Sequence, residues 1–131
     1  MITLQVHGTK ELMADLRKAK VDVQNDARRV LREMADKIAD DARGRVPVDT
    51  GSLKNSIKPS VSKKQLEASV SAGGNVGGTD TYYAVFVEFG THKMPARPFL
   101  SPSGRAHEQE TEERLTAVMY EACLLYASPS P

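Results

Sequence analysis

Val48-Asp49-Thr50-Gly51-Ser52 spells the local signature of an aspartic protease, a hydrophobic residue followed by Asp-Thr-Gly-Ser. In such enzymes two carboxylates hold one water and share a proton, because like charges so close cannot both ionise. A chain of 131 residues could supply one Asp and complete the pair by dimerising. The surroundings argue against this. The signature normally follows a buried strand, whereas here a long amphipathic pattern ends near Arg43 and leads straight into it. No second signature of two aliphatic residues followed by Gly appears near the C-terminus. The structural reading is simpler: Pro47 stiffens a loop, Asp49 or Thr50 caps the next turn through its side-chain oxygen, and Gly51 accepts unusual dihedrals.

The remaining candidates for chemistry are weaker. His7, His92 and His107 lie far apart in sequence, and Cys123 is the single cysteine, so no metal-ligand spacing is present and no cofactor is implied. Cys123, within AVMYEACLLYA, reads as a small apolar packing residue. The segment GGNVGGTD at 73–80 lacks the Gly-Lys-Ser/Thr ending of a P-loop and reads as a mobile hairpin arm. His92, Lys93 and Arg97 form a cationic cluster beside Glu88. It could be a binding patch, or Glu88 and Arg97 could pair to close a turn at Gly90.

Charge and composition narrow the partners. With 18 Lys and Arg against 17 Asp and Glu, no global charge draws the chain to nucleic acid or to an anionic membrane. A DNA-binding regulator would need basic residues clustered on one element, but those at 17–20, 28–32 and 43–45 are interleaved with acids. No apolar run is long enough to span a membrane, and MITLQVHGTKELM lacks the pattern of a secretory signal. Synthesis and retention in the cytoplasm of the producing cell are expected.

These residues need elements to position them. Ile2, Leu4 and Val6 alternate with polar residues and predict a strand ended by Gly8. Thr9 then caps a short helix carrying Leu12 and Leu16. Ala27, Val30, Leu31, Met34, Ala35, Ile38, Ala39 and Ala42 recur at spacings of three and four, predicting a helix from about Asp22 to Arg43 that Gly44 and Pro47 stop. Leu53 and Ile57 fit one helical turn. Residues 57–62 and 66–72 read as a hairpin turning at Lys63 and Lys64, with Pro59 placing the first strand at an edge or a bulge. Residues 82–89 suit a buried strand or two helical turns, and their β-branched and aromatic content favours the strand. A final helix from about Pro102 carries Leu115, Val118, Met119, Ala122 and Leu125 on one face, followed by a frayed tail at 127–131. The expected fold is a single α+β domain over residues 1–131, with the long amphipathic helix and the C-terminal helix packed on one face of a small, mostly antiparallel sheet.

The most distinctive segment is YYAVFVEFGTHKMPARPFL, Tyr82 to Leu100. Pro95 and Pro98 bracket Arg97, so MPARPF should form a stiff extended strap without a regular hydrogen-bond ladder, anchored by its aromatic and aliphatic ends. Pro47, Asp49, Thr50, Gly51, Leu53, Ser56 and Ile57, then Tyr83, Ala84, Val87, Glu88, Gly90 and Thr91, then Pro95, Ala96, Arg97, Pro98 and Phe99 follow one another in an order that resembles the tail-completion or minor tail proteins of lambdoid-type long-tailed phages and prophages. The resemblance spans nearly the whole chain. It implies a structural virion protein of the neck, not an enzyme, that completes the tail and joins it to the head as an oligomeric ring around the DNA channel. A hexamer is implied, in contact with the tail terminator or tail tube, with head-closure or connector proteins, and in passing with genomic DNA. On this reading Asp49, Thr50, Gly51, Leu53, Tyr83, Glu88, Gly90, Thr91, Pro95, Arg97, Pro98 and Phe99 form an interface or shape the turn that presents one. Arg97→Ala or Phe99→Ala is then expected to leave soluble protein that cannot join tails to heads.

Overall fold

A computed structural model describes residues 2–46, 51–73, 75–76, 79–80, 84–93 and 95–127. The alternation at the N-terminus becomes β1 (Ile2–Val6). The Thr9 hydroxyl then accepts from the Leu12 N–H at 3.4 Å and caps α1 (Lys10–Arg17), as its residue type predicts. The α2 helix (Val21–Arg45) buries all eight residues of the predicted apolar stripe, from Ala27 to Ala42. Gly44 does not end it. The helix runs through Gly44 to a C-cap at Val46, whose ψ of 136° is extended. Val46 precedes Pro47, and a proline disfavours the helical conformation in the residue before it.

α3 (Gly51–Ser56) supplies the expected turn, with Leu53 and Ile57 both buried. Its last residue ties it to the sheet: the Ser56 hydroxyl donates to the Leu53 carbonyl at 2.6 Å and accepts from the Gly73 N–H at 2.8 Å. The hairpin is β2 (Lys58–Val61) and β3 (Ala68–Ala72), and Lys63 and Lys64 lie in its exposed turn. The three strands form one antiparallel sheet in the order β1-β3-β2, so Pro59 does sit on an edge strand. Leu4 lies opposite Val70 and Val6 opposite Ala68, which puts Ile2, Leu4, Val6, Ala68, Val70 and Ala72 on one face. Thr3, Gln5, Ser69 and Ser71 lie on the other. The glycine segment contains a second, two-stranded ribbon, β4 (Asn75–Val76) with β5 (Thr79–Asp80), lying beside α3.

Of the span 82–89 for which a strand is favoured, the described part is a helix instead, α4 (Ala84–Phe89), and residues 82 and 83 lie outside the described residues. In a strand Val87 and Phe89 would share a face. Here Val87 and Glu88 point inward while Phe89 is 68% exposed. Gly90 stops α4 in the left-handed conformation at φ 77°, where a residue with a Cβ would be strained. The single C-terminal helix expected from Pro102 is two helices, α5 (Leu100–Ala106) and α6 (Glu108–Ala127). The break falls at His107, whose carbonyl accepts both the Thr111 N–H at 3.0 Å and the Thr111 hydroxyl at 2.7 Å.

The α2 helix is the centre of the core. One side covers β2 and β3, and the other meets α5 and α6, while α5 also lies on β1. α6 runs antiparallel to α2: Lys37 bonds Glu110 at 2.6 Å, His107 reaches Asp41 at 3.1 Å, and Arg114 pairs with Glu33. The Lys37 ammonium holds the Glu110 carboxyl below its ordinary range, and the Arg114 guanidinium does the same for Glu33. Glu112 reaches back to the start of α1, accepting from the Thr9 N–H at 2.7 Å and from its hydroxyl at 3.0 Å.

Candidate functional site

The strap between α4 and α5 is held at both ends by the core. Phe99 is fully buried and Leu100 nearly so, which makes them the downstream anchors. Between the ends, residues 95–99 adopt no regular structure, as two prolines around Arg97 require. A main-chain bond crosses the strap, from the Arg97 N–H to the Val87 carbonyl at 2.7 Å.

The upstream anchor is Glu88. Its carboxylate is not paired with the exposed Arg97, one of the two options open from sequence. It accepts from the main-chain N–H groups of Phe99 at 2.8 Å, Leu100 at 3.2 Å and Ser101 at 2.8 Å. Those groups are the unpaired donors at the N-terminus of α5, whose N-cap position is occupied by Phe99, a residue with no oxygen to offer. Glu88 therefore caps α5 from another helix. Burial alone would raise its pKa, but the Ser101 hydroxyl and the three main-chain donors outweigh that and hold the carboxyl below its ordinary value. The carboxylate gains more from these bonds than an ion pair at the surface would provide, since exposed pairs contribute only about 0–1 kcal/mol.

Outside the clamp the described residues of this segment are mostly exposed. Phe89, Thr91, His92, Lys93, Pro95, Ala96, Arg97 and Pro98 are all exposed. Within it the Thr91 hydroxyl accepts from the Lys93 N–H at 3.2 Å, ordering the turn after Gly90. The surface combines an aromatic ring, two prolines, Lys93 and Arg97; of these the exposed aromatic and the Arg are residue types enriched where proteins meet.

The other residues singled out by sequence divide in two. Gly51 opens α3 and Leu53 is buried in it, remote in role from the strap. Asp49, Thr50 and Tyr83 lie outside the described residues, as do Pro47, Val48, the 128–131 tail and part of the glycine arm. The side chain of Cys123 is also outside them. Sequence reasoning missed Phe89 and Ser101. The missing signal was α5 itself: a helix beginning Phe99-Leu100-Ser101-Pro102 lacks a local cap, so a partner had to come from elsewhere. Among the described residues, no group of three or more His, Cys, Asp or Glu side chains is placed to hold a metal ion, and no helix is long and apolar enough to cross a membrane.

Comparison with known proteins supports the resemblance to phage tail proteins. The family described as "Bacteriophage HK97-gp10, putative tail-component" matches residues 10–90, from the start of α1 to the glycine that ends α4. No curated protein and no solved structure matches the chain. The matched span includes α2, the sheet hairpin and Glu88, the elements that position the strap, and the chain belongs to this HK97-gp10-like family of bacteriophage tail components.

Proposed function

We propose that this tail component works by assembly and not by catalysis, at the neck of the virion, where it completes the tail end and joins it to the head. The observation that carries this reading is the clamped strap. A buried carboxylate and a buried phenylalanine fix the two ends of a segment that presents Phe89, Lys93, Pro95, Arg97 and Pro98 at the surface. Such fastening lowers the entropy lost when the surface meets a partner. On this proposal the subunits form a sixfold ring around the DNA channel, between the tail terminator or tube and the head-closure or connector proteins. A charge balance of 18 basic to 17 acidic residues suits a channel through which DNA must slide, because a strongly cationic lumen would hold phosphates.

The burial of Phe99 changes which variants test this. Phe99→Ala removes a core side chain and costs about 3–5 kcal/mol, so it would report folding and not assembly. Arg97→Ala and Phe89→Ala alter exposed groups and should leave stability within about 0.5 kcal/mol of the original. The double variant is expected to be folded and soluble, to fail to bind purified tails, and to yield tails and filled heads that do not join. Light scattering of the unaltered protein with and without tails should show stoichiometric binding at tail ends. Normal infectious yield from the double variant would overturn the proposal.

A further inference from the structure

Among the described residues the three-stranded sheet has two free edges, and they are not alike. Ser62 N–H donates to the Glu67 carbonyl at 3.0 Å, in register with the β2–β3 pairing. Main-chain groups alternate in direction along a strand, so Lys58 and Ser60 also turn theirs toward β3. Pro59 therefore occupies an outward position and has no N–H to offer there, which blunts the β2 edge. The same alternation carried across β3 aims Ala68, Val70 and Ala72 at β1, and their partners Val6, Leu4 and Ile2 aim back. Thr3 and Gln5 are left with N–H and C=O directed away from the sheet. Neither makes a hydrogen bond with another main-chain or side-chain group among the described residues. The β1 edge contains no proline, lysine or other charge, the usual devices that keep such an edge single. A groove runs beside it, lined by Leu4, Gln5, Ile38, Gly104, Arg105 and Thr111.

We infer that β1 is a docking strand for β1 of a second copy of this chain, paired antiparallel about a two-fold axis at Leu4. In that register Thr3 lies opposite Gln5 of the second copy, and Gln5 opposite its Thr3. The two outward residues on each strand exchange N–H···O=C bonds, while the two Leu4 side chains face each other on the groove side. The strand is its own complement. It is uncharged, polar on one face and apolar on the other, and symmetric in the spacing of its free donors and acceptors. Blunting of β2 by Pro59 makes the contact closed, giving a six-stranded sheet and a dimer in place of an open-ended polymer. This dimer is the form of the unassembled protein. It is independent of the ring reading, because a sixfold ring needs head-to-tail contacts and a two-fold contact closes on itself.

The test is sedimentation equilibrium of the full chain over a wide concentration range, beside three variants. Thr3→Pro deletes an outward N–H and leaves the β1–β3 ladder intact. Thr3→Lys with Gln5→Lys sets like charges opposite each other across the axis. Thr3→Glu with Gln5→Lys sets opposite charges there and serves as the matched control. Twice the chain mass is expected for the unaltered protein and the Glu/Lys variant, with association weakened at least tenfold in the Pro and Lys/Lys variants. Unchanged thermal unfolding of the Lys/Lys variant below its association range would show that folding is intact. A monomer at every concentration, or any oligomer whose mass the Pro and Lys/Lys variants leave unchanged, would overturn the inference.

Discussion

A carboxylate that caps a helix from outside it has an energetic signature that a surface glutamate lacks. Glu88 is only 4% exposed and accepts three main-chain N–H groups. Glu88→Gln keeps the shape and removes the charge, and hydrogen bonds to a charged group are each worth about 1.5–3 kcal/mol, so a loss of roughly 2 kcal/mol is expected at neutral pH. The pH dependence follows from the lowered pKa. As pH falls, the unfolded carboxyl takes up its proton before the folded one does. The Glu88 contribution is therefore complete above the unfolded value of 4.5 and is lost as pH drops through the lower folded value. Urea unfolding of both proteins should show a stability gap that is constant from pH 7 to about 5 and closes at more acid pH. A gap that stays the same down to pH 3 would mean that the charge of Glu88 is not what holds α5.

Two glycines show at the level of elements why some structure was legible in sequence and some was not. The α2 stripe was readable because eight apolar residues at helical spacing leave one geometry that buries them all. Of its two expected stops, Pro47 fits a helix that ends at Arg45 and Gly44 does not. Gly44 is an interior helical residue, and nothing beyond its own stretch of helix lies within 4 Å of where a Cβ would sit. Gly44→Ala should therefore stabilise the protein by about 0.5–1 kcal/mol, by lowering the entropy of the unfolded chain. Gly104 looks equally ordinary in sequence, but a Cβ there would lie 2.5 Å from a methyl carbon of Leu4, where α5 rests on β1. Gly104→Ala should destabilise by about 1–3 kcal/mol. Thermal unfolding of the two variants should move in opposite directions, and a common direction would contradict this packing. The helix at 84–89 and the break at His107 were hidden for a related reason. The six residues Ala84 to Phe89 have no periodicity long enough to choose their class, and the break at His107 has neither a proline nor a glycine at its own position. The strap's extended form was legible, because proline fixes it locally; its fastening was not, because the cap comes from eleven or more residues away.

The family match ends at Gly90, but the hydrophobic core does not. Phe99, Leu100 and Leu115 are buried at 0%, 3% and 0% exposure, and α5 and α6 cover the side of α2 that the sheet leaves open. Full burial of each of these three side chains is worth about 1.5–3 kcal/mol, so together they contribute roughly 5–9 kcal/mol. The whole stability of a domain of this size is about 5–15 kcal/mol. A fragment of residues 1–90 would lose these side chains, leave Val30, Met34 and Ile38 against water on one side, and strand the Glu88 carboxylate without the donors that make its burial tolerable. The fragment should therefore show no cooperative urea transition by far-UV circular dichroism, even though it contains the whole span matched by the family. Supplying residues 91–131 as a separate polypeptide should restore a transition, because the missing surface would return without a new covalent link. A cooperative transition in the fragment alone, near the midpoint of the full chain, would show instead that the matched span is self-sufficient and that α5 and α6 only decorate it.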